Sequence, residues 1–242
     1  MKLLLISKVK IVTLVHKSLQ MQFTWIQQHT SNKLIIFFNG WGCDHHQFKH
    51  LTSKGFDVLM ISDYKSLALS QDICDAIKQY QEIDVVAWSY GVWIAQYVCE
   101  KESIPVNLTV AINGTIKPVH GQFGIPEAIM LGTLKNLSER NIKKFQRRMV
   151  GGNEAWKSFE ADKSQRTFEE LQEELAALVN HFKLELNNTD FYQKAVVGSE
   201  DLIFTSANQL AFWQDKAEVK IMEVPHFCFY EFSCWDELLM LS

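Results

Sequence analysis

A chain of 242 residues with 47% hydrophobic content and a formal charge of −4 carries enough apolar material for one sizeable globular domain. Its slight acidity gives no case for nucleic acid or a membrane surface as a partner. Five Cys without a C-x-x-C pair point to reduced thiols in a cytoplasmic protein, and the absence of a Walker-type loop or a G-x-G-x-x-G string leaves no call for a cofactor.

Residues 1–20 hold four Lys and no acid, and Lys8 and Lys10 interrupt the apolar run. That pattern is too short and too charged for a membrane span and lacks a cleavage site for a signal peptide. It reads as an extension or leading strand, with Met21 as an alternative start. Strand-length apolar runs follow at 22–28, 34–38, 58–62, 83–87, 108–112, 195–197 and 219–224. Helix-like stretches lie between many of them, at 47–53, 71–81, 92–100 and 207–215, with a last one at 234–241. Several runs are continuously hydrophobic, as strands covered on both faces should be. The alternation predicts an α/β fold with a mostly parallel central sheet.

Residues 118–190 break this rhythm, because no strand pattern occurs there. Pro126 suits the first position of a helix. Ser138 can cap a second helix that ends near Gly151-Gly152. Thr167-Phe168-Glu169-Glu170 is a capping box for a third, whose Phe168, Leu171, Leu175, Leu178, Val179 and Phe182 form one apolar stripe. A helical insertion between late strands predicts a lid over 118–190, set into a core made of 21–117 and 191–242.

The chemistry centres on Ala87-Trp88-Ser89-Tyr90-Gly91. A serine between small residues, after a strand and before a helix, has the form of a nucleophile elbow, and the helix N-terminus favours negative charge beside it. A serine hydroxyl needs a base, and the base needs a partner to hold its tautomer. His226, in a turn just past the last strand, is the base expected from the order nucleophile, acid, histidine. Asp201, after the strand at 195–197, is the expected acid. Glu200 is its immediate rival, and Asp190 and Asp215 are less well placed. The tetrahedral intermediate needs fixed N–H donors. The amide of Tyr90 is one, and the amide of Trp41 in Asn39-Gly40-Trp41-Gly42 is the other, with its indole forming pocket wall. His46 and His50 are four apart and could share a helix face. No second cluster offers further ligands, so no metal is expected, and Asp44 is read as the N-cap of that helix.

The strings Phe37-Phe38-Asn39-Gly40-Trp41-Gly42, Asp63-Tyr64 and Val86-Ala87-Trp88-Ser89-Tyr90-Gly91-Val92-Trp93 resemble the BioG-type pimeloyl-[acyl-carrier protein] methyl ester esterases of the α/β-hydrolase superfamily. The resemblance runs from about Met21 to near the C-terminus and is strongest over 35–98. It implies an α/β-hydrolase fold with a helical lid. It also implies hydrolysis of the methyl ester at the far end of a pimeloyl chain, with acyl carrier protein as the partner that bears it. The family pattern carries over Ser89, Asp201 and His226 as the triad and Trp41 and Tyr90 as oxyanion donors. Carrier proteins are acidic, so docking needs a local basic patch. Arg140, Lys143, Lys144, Arg147 and Arg148 stand against only Glu139 over 139–148; Ile142, Phe145 and Met149 share one face, and Arg140, Lys144 and Arg147 fall roughly opposite. A general short-chain acyl esterase or thioesterase would use the same triad, and a non-catalytic hydrolase-like binding protein is the remaining alternative.

Overall fold

Leu34 to Phe38 are consecutive apolar side chains, and each is fully buried because both faces of the strand that carries them are covered. The computed structural model describes residues 21–29, 31–187 and 190–241; the expectations for residues 1–20 lie outside these. Strands β1 (Gln22–Gln27), β2 (Lys33–Phe38), β3 (Asp57–Ser62), β4 (Glu82–Trp88), β5 (Leu108–Ile112), β6 (Lys194–Gly198) and β7 (Glu218–Met222) form one seven-stranded sheet in the order 1-3-2-4-5-6-7. β1 runs antiparallel to β3, and every other pairing is parallel.

The chain leaves β2 for β3 on one side and then crosses to β4 on the other. Loops after β2 and β4 therefore open side by side at the carboxyl edge, the crevice where α/β sheets hold ligands. Phe38 pairs with Ala87 in this register, so residues 39–42 and Ser89 emerge together.

The helices are α1 (Gln71–Ile77), α2 (Gly91–Glu102), α3 (Glu127–Lys135), α4 (Glu139–Val150), α5 (Asn153–Ala161), α6 (Phe168–His181), α7 (Ser206–Trp213) and α8 (Trp235–Leu239). Side chains alternate along the strands into two cores. Leu34, Ile36 and Phe38 of β2 and Ile83, Val85 and Ala87 of β4 face one core, together with Val92 and Ile94 of α2. That core also receives Met130, Ile142, Leu171, Leu175 and Leu178 from α3, α4 and α6. Ile35, Phe37, Val86 and Trp88 face the other, with Phe48, Phe227, Phe229 and Trp235. Each such side chain contributes about 1.5–3 kcal/mol on burial.

Among the described residues four helices, not three, lie between β5 and β6. Gly151, at φ 81°, ends α4 as its sequence suggests, but Gly152 is extended and serves as the N-cap of α5. The glycine pair is therefore a corner between helices, and Trp156 and Phe159 anchor the second one. Pro126 sits one place outside α3, as its N-cap. Ser138 accepts from the amide of Asn141 (3.3 Å), and Thr167 and Glu170 form the reciprocal box that starts α6.

The helix expected over 47–53 is a 3-10 turn at His45–Phe48. It stops because the chain is drawn into a bridge, with the Thr52 amide donating to the Ser233 carbonyl and the Trp235 amide to the Thr52 carbonyl. His50 therefore falls beyond the turn and reaches the Phe229 carbonyl instead of sharing a face with His46. Asp44 caps that turn, accepting from the His46 amide while its own amide donates to Gln47. β7 ends at Met222 rather than Val224, because the Val224 amide turns back onto the Met222 carbonyl.

Candidate active site

Three non-glycine residues with left-handed backbone follow three of the parallel strands: Asp63 after β3, Ser89 after β4 and Asn113 after β5. Such conformations cost of order 1–3 kcal/mol and persist only where surroundings hold them. The surroundings of Ser89, at φ 59°, are tight. A Cβ on Gly91 would stand 2.3 Å from the Phe38 carbonyl oxygen, and one on Gly114 would stand 2.4 Å from that of Ser89. The small residue two places after the serine is thus required by the backbone of β2. The Ser89 amide donates to the Ile112 carbonyl at 3.0 Å, which ties the turn to β5.

Ser89 Oγ lies 2.9 Å from His226 Nε2, and His226 Nδ1 lies 2.8 Å from Asp201 Oδ2. All three residues are buried. The structure brings together the serine, histidine and aspartate chosen from sequence, while Glu200, Asp190 and Asp215 are exposed. Asp201 sits at the end of a short turn after β6. Its Oδ1 accepts from the amides of Ile203 (2.7 Å) and Phe204 (2.9 Å), and its Oδ2 also accepts from Gln209 Nε2 (3.0 Å).

The His226 ring is flanked by Trp88 and by Phe204, whose plane lies 4° from it at a centroid distance of 5.9 Å. Its carbonyl accepts from Trp88 Nε1 (2.8 Å) and Asn113 Nδ2 (2.9 Å). Asn113 Oδ1 in turn accepts from the Gly198 amide at 2.7 Å, so one side chain joins the ends of β5 and β6 to the histidine loop. Gln209 and Asn113 are site residues that sequence reasoning missed. No spacing marks them, because a helix glutamine and a post-strand asparagine acquire meaning only from what the fold puts opposite them.

Asn39-Gly40-Trp41 lies against the nucleophile. A Cβ on Gly40 would stand 2.7 Å from the Trp88 ring and 3.2 Å from Ser89 Cβ, so only glycine lets this loop approach. The Trp41 indole N–H donates to the Leu171 carbonyl of α6 (3.0 Å), and its ring meets Phe145 of α4 edge-on. Tyr90 packs on Phe182 and Phe204, and its hydroxyl reaches Met130 Sδ of α3 (3.0 Å). Burial pushes its phenol well above the ordinary range, so it stays neutral. Side chains of the inserted helices therefore touch both residues expected to supply oxyanion donors. The histidine loop meets them too: the Phe227 amide donates to the Met149 carbonyl at the end of α4.

α6 is held to the core by buried charge. Arg166 pairs with Asp63 (2.9 Å) and Glu174 (2.6 Å), and Glu174 accepts from the Tyr64 amide (3.0 Å). Burial raises the Glu174 carboxyl, against the pull of Arg166 and the Tyr64 amide. Burial opposes the Arg166 charge, yet Glu174 and Asp63 hold it above its usual value.

Asp44, His45 and His46 lie within 4.8 Å of one another by their ligating atoms. Both Asp44 oxygens are already engaged, Oδ1 by His46 and Oδ2 by Ser164 and the Gln165 amide. The group acts as a clamp between the post-β2 loop and the start of α6. Arg140, Lys143, Lys144, Arg147 and Arg148 are all exposed on α4. Lys143 pairs with Glu160 of α5, and Arg147 lies 5.0 Å over the Trp156 ring.

No helix among the described residues is long and apolar enough to cross a membrane. Residues 21–238 match the family described as pimeloyl-ACP methyl esterase BioG. The chain is 39% identical over 180 residues to a Bacteroides fragilis protein named malonyl-[acyl-carrier protein] O-methyltransferase; the match takes in 74% of this chain and only 36% of that protein's length. It superposes on the crystal structure of BioG from Haemophilus influenzae with a TM-score of 0.82 and 34% identity, covering 91% of this chain and 99% of the other. The enol-lactonase from Burkholderia xenovorans shares the fold alone, at 12% identity and a TM-score of 0.62 over 85% of this chain and 89% of that one. With an α/β-hydrolase sheet and a serine at its elbow, the chain belongs to the BioG family of pimeloyl-ACP methyl esterases.

Proposed function

We propose that Ser89, His226 and Asp201 hydrolyse the methyl ester of pimeloyl-[acyl-carrier protein], releasing methanol and leaving the free acid on its carrier. The observation that carries the reading is the unbroken line from Ser89 Oγ through His226 to Asp201 Oδ2, at 2.9 and 2.8 Å. His226 Nε2 takes the serine proton as Oγ attacks the ester carbonyl, and Asp201 holds the ring with its Nδ1–H pointing away from the serine. The amides of Tyr90 and Trp41 receive the oxyanion. As the intermediate collapses, His226 returns the proton to the departing methoxide. Water, deprotonated by the same nitrogen, then attacks the acyl-serine; the acyl–Oγ bond breaks as His226 returns that proton to Ser89 Oγ, and the free acid leaves.

The helices of residues 118–190 serve as a lid over this site, consistent with their contacts to Trp41 and Tyr90. Exposed cations of α4 serve as the contact for the carrier-borne substrate, Lys143 least among them because Glu160 already meets its charge. The Bacteroides relative is named for methyl transfer to a carrier-bound malonyl group. That is the chemical counterpart of removing a methyl group from a carrier-bound ester. Free, mostly buried cysteines suit a cytoplasmic reaction.

The test is complementation of a biotin-requiring strain that lacks its pimeloyl methyl esterase. Wild type should restore growth and Ser89→Ala should not. Product analysis on the purified carrier substrate should give methanol; free carrier instead would make the enzyme a thioesterase.

A further inference from the structure

The two flanks of α4 differ in charge, and the difference selects a ligand. Between α4 and the helices that follow it lies a cavity of about 320 Å³ that contains Lys143, Lys163 and Arg166 but also Glu139 and Glu160. Two of its three cations are already paired: Lys143 meets Glu160, and Arg166 meets Asp63 and Glu174. Between α3 and α4 lies a larger cavity of about 490 Å³, whose lining contains Lys144 and Arg148 and no carboxylate. Among the described residues neither of these two cations has an ion-pair partner. They stand four residues apart on one helix face, about 6 Å along the axis, close enough to converge on a single anion.

The buried part of the lining, which borders the loop that lies against the nucleophile, is apolar. Trp41, Ile142 and Phe145 form it, with the Trp41 and Phe145 rings 5.3 Å apart. Trp41 directly follows Gly40, whose Cβ position is 3.2 Å from Ser89 Cβ. Thr133, Asn136 and Asn141 supply polar groups along the wall. A cationic mouth, a polar wall and an apolar floor beside the nucleophile match, in that order, a phosphodiester, an amide-bearing linker and an acyl chain.

We propose that the α3–α4 groove is the subsite for the phosphorylated thioester arm of the carrier, with Lys144 and Arg148 holding its phosphodiester. This rests on the proposed carrier-linked substrate and deepens it. It separates two jobs on one helix, since Lys144 and Arg148 read the arm while Arg140 and Arg147 read the carrier's acidic surface. A phosphate ester is permanently charged at neutral pH and takes two donors well, which a scattered carboxylate surface does not demand.

The experiment compares the Lys144→Ala/Arg148→Ala double variant with wild type on three methyl pimeloyl thioesters: the carrier-bound one, that of 4′-phosphopantetheine alone, and that of pantetheine without phosphate. Lys157→Ala, an exposed site on α5, is the control for general loss of charge, and thermal melts check folding. The expected result is a rise in KM on the phosphopantetheine ester at least about tenfold greater than on the pantetheine ester, one charge-assisted contact or more. Equal effects on those two esters overturn the phosphate subsite. An effect confined to the carrier-bound ester assigns Lys144 and Arg148 to the protein surface and also overturns it. Failure of wild type on every carrier-linked methyl ester, with p-nitrophenyl ester turnover intact, instead defeats the substrate assignment on which the subsite rests.

Discussion

Gln209 Nε2 donates to Asp201 Oδ2, the same oxygen that faces His226 Nδ1, and also to the Phe204 carbonyl at 2.6 Å. Asp201 thus receives four donors, two on each oxygen, and its carboxylate has no freedom to rotate away from the histidine. Gln209 is fully buried and acts through Asp201 rather than on substrate, which makes it a positioning residue. Gln209→Leu keeps the volume and removes the donor. A hydrogen bond to a charged group is worth roughly 1.5–3 kcal/mol, so kcat should fall about 10- to 100-fold with little change in KM. Gln209→Glu, which sets a second carboxylate against Asp201, should lose more. Steady-state kinetics on p-nitrophenyl butyrate decide it, and an unchanged kcat in both variants removes the positioning role.

The triad was legible because its signals are local or ordinal: a small-x-Ser-x-Gly turn, a histidine after the last strand, an acid after the strand before it. The sheet was legible because buried parallel strands are apolar on both faces. What escaped depends on contacts across the fold. Gln209 lies on a helix whose sequence gives no reason to single it out. Asn113 matters because β5 happens to end beside Gly198 and the histidine loop. The shortened helix after Asp44 reflects a bridge to residues nearly two hundred positions away. α5 was hidden because a Gly-Gly pair signals a stop and says nothing of a new start. Charge along α4 could be counted in sequence, but its division between a neutralised flank and an open one required Glu160 and the position of α3.

Ser89 is held at φ 59° by packing on β2 and β5 rather than by its own preference. Ser89→Ala and Ser89→Gly should both abolish ester hydrolysis, since neither retains a nucleophile. They should differ in stability. Alanine keeps the left-handed penalty, whereas glycine does not, so Ser89→Gly should be about 1 kcal/mol more stable than Ser89→Ala by urea unfolding. Equal midpoints would show that the elbow stores no backbone strain.

Arg166 is the hub of a buried ion network, with Asp63 and Glu174 on either side of it. Breaking a buried pair from one side leaves uncompensated charge, at about 3–5 kcal/mol. Arg166→Met should lose on that order in unfolding free energy, and protease cleavage should appear first near the start of α6, which Arg166 ties to the turn after β3. The double variant Arg166→Met/Glu174→Leu should recover part of the loss, because it removes a carboxylate that would otherwise stand alone. A single variant with wild-type stability would remove the network as an anchor for the inserted helices.

Asp44 links the post-β2 loop to the chain entering α6, through the Ser164 hydroxyl (3.1 Å) and the Gln165 amide (2.8 Å). Burial works to raise its carboxyl. The amides of His46 and Gln165 and the His46 ring outweigh that, and the net direction is down. A carboxyl with a lowered folded value stabilises the fold fully above the ordinary carboxylate range and loses that contribution as pH falls through the lowered value. Asp44→Asn keeps the Oδ1 cap and removes the titration, while its NH2 replaces the oxygen that accepts from the Gln165 amide. At pH 7 wild type should therefore exceed Asp44→Asn by about 1 kcal/mol, the scale of one charge-assisted hydrogen bond, and the gap should close as pH drops below the carboxylate range. Urea midpoints measured for both proteins from pH 7 to pH 3 check the sign. A gap that widens on acidification would mean that Asp44 is stabilised in its protonated form, contrary to the donors that surround it.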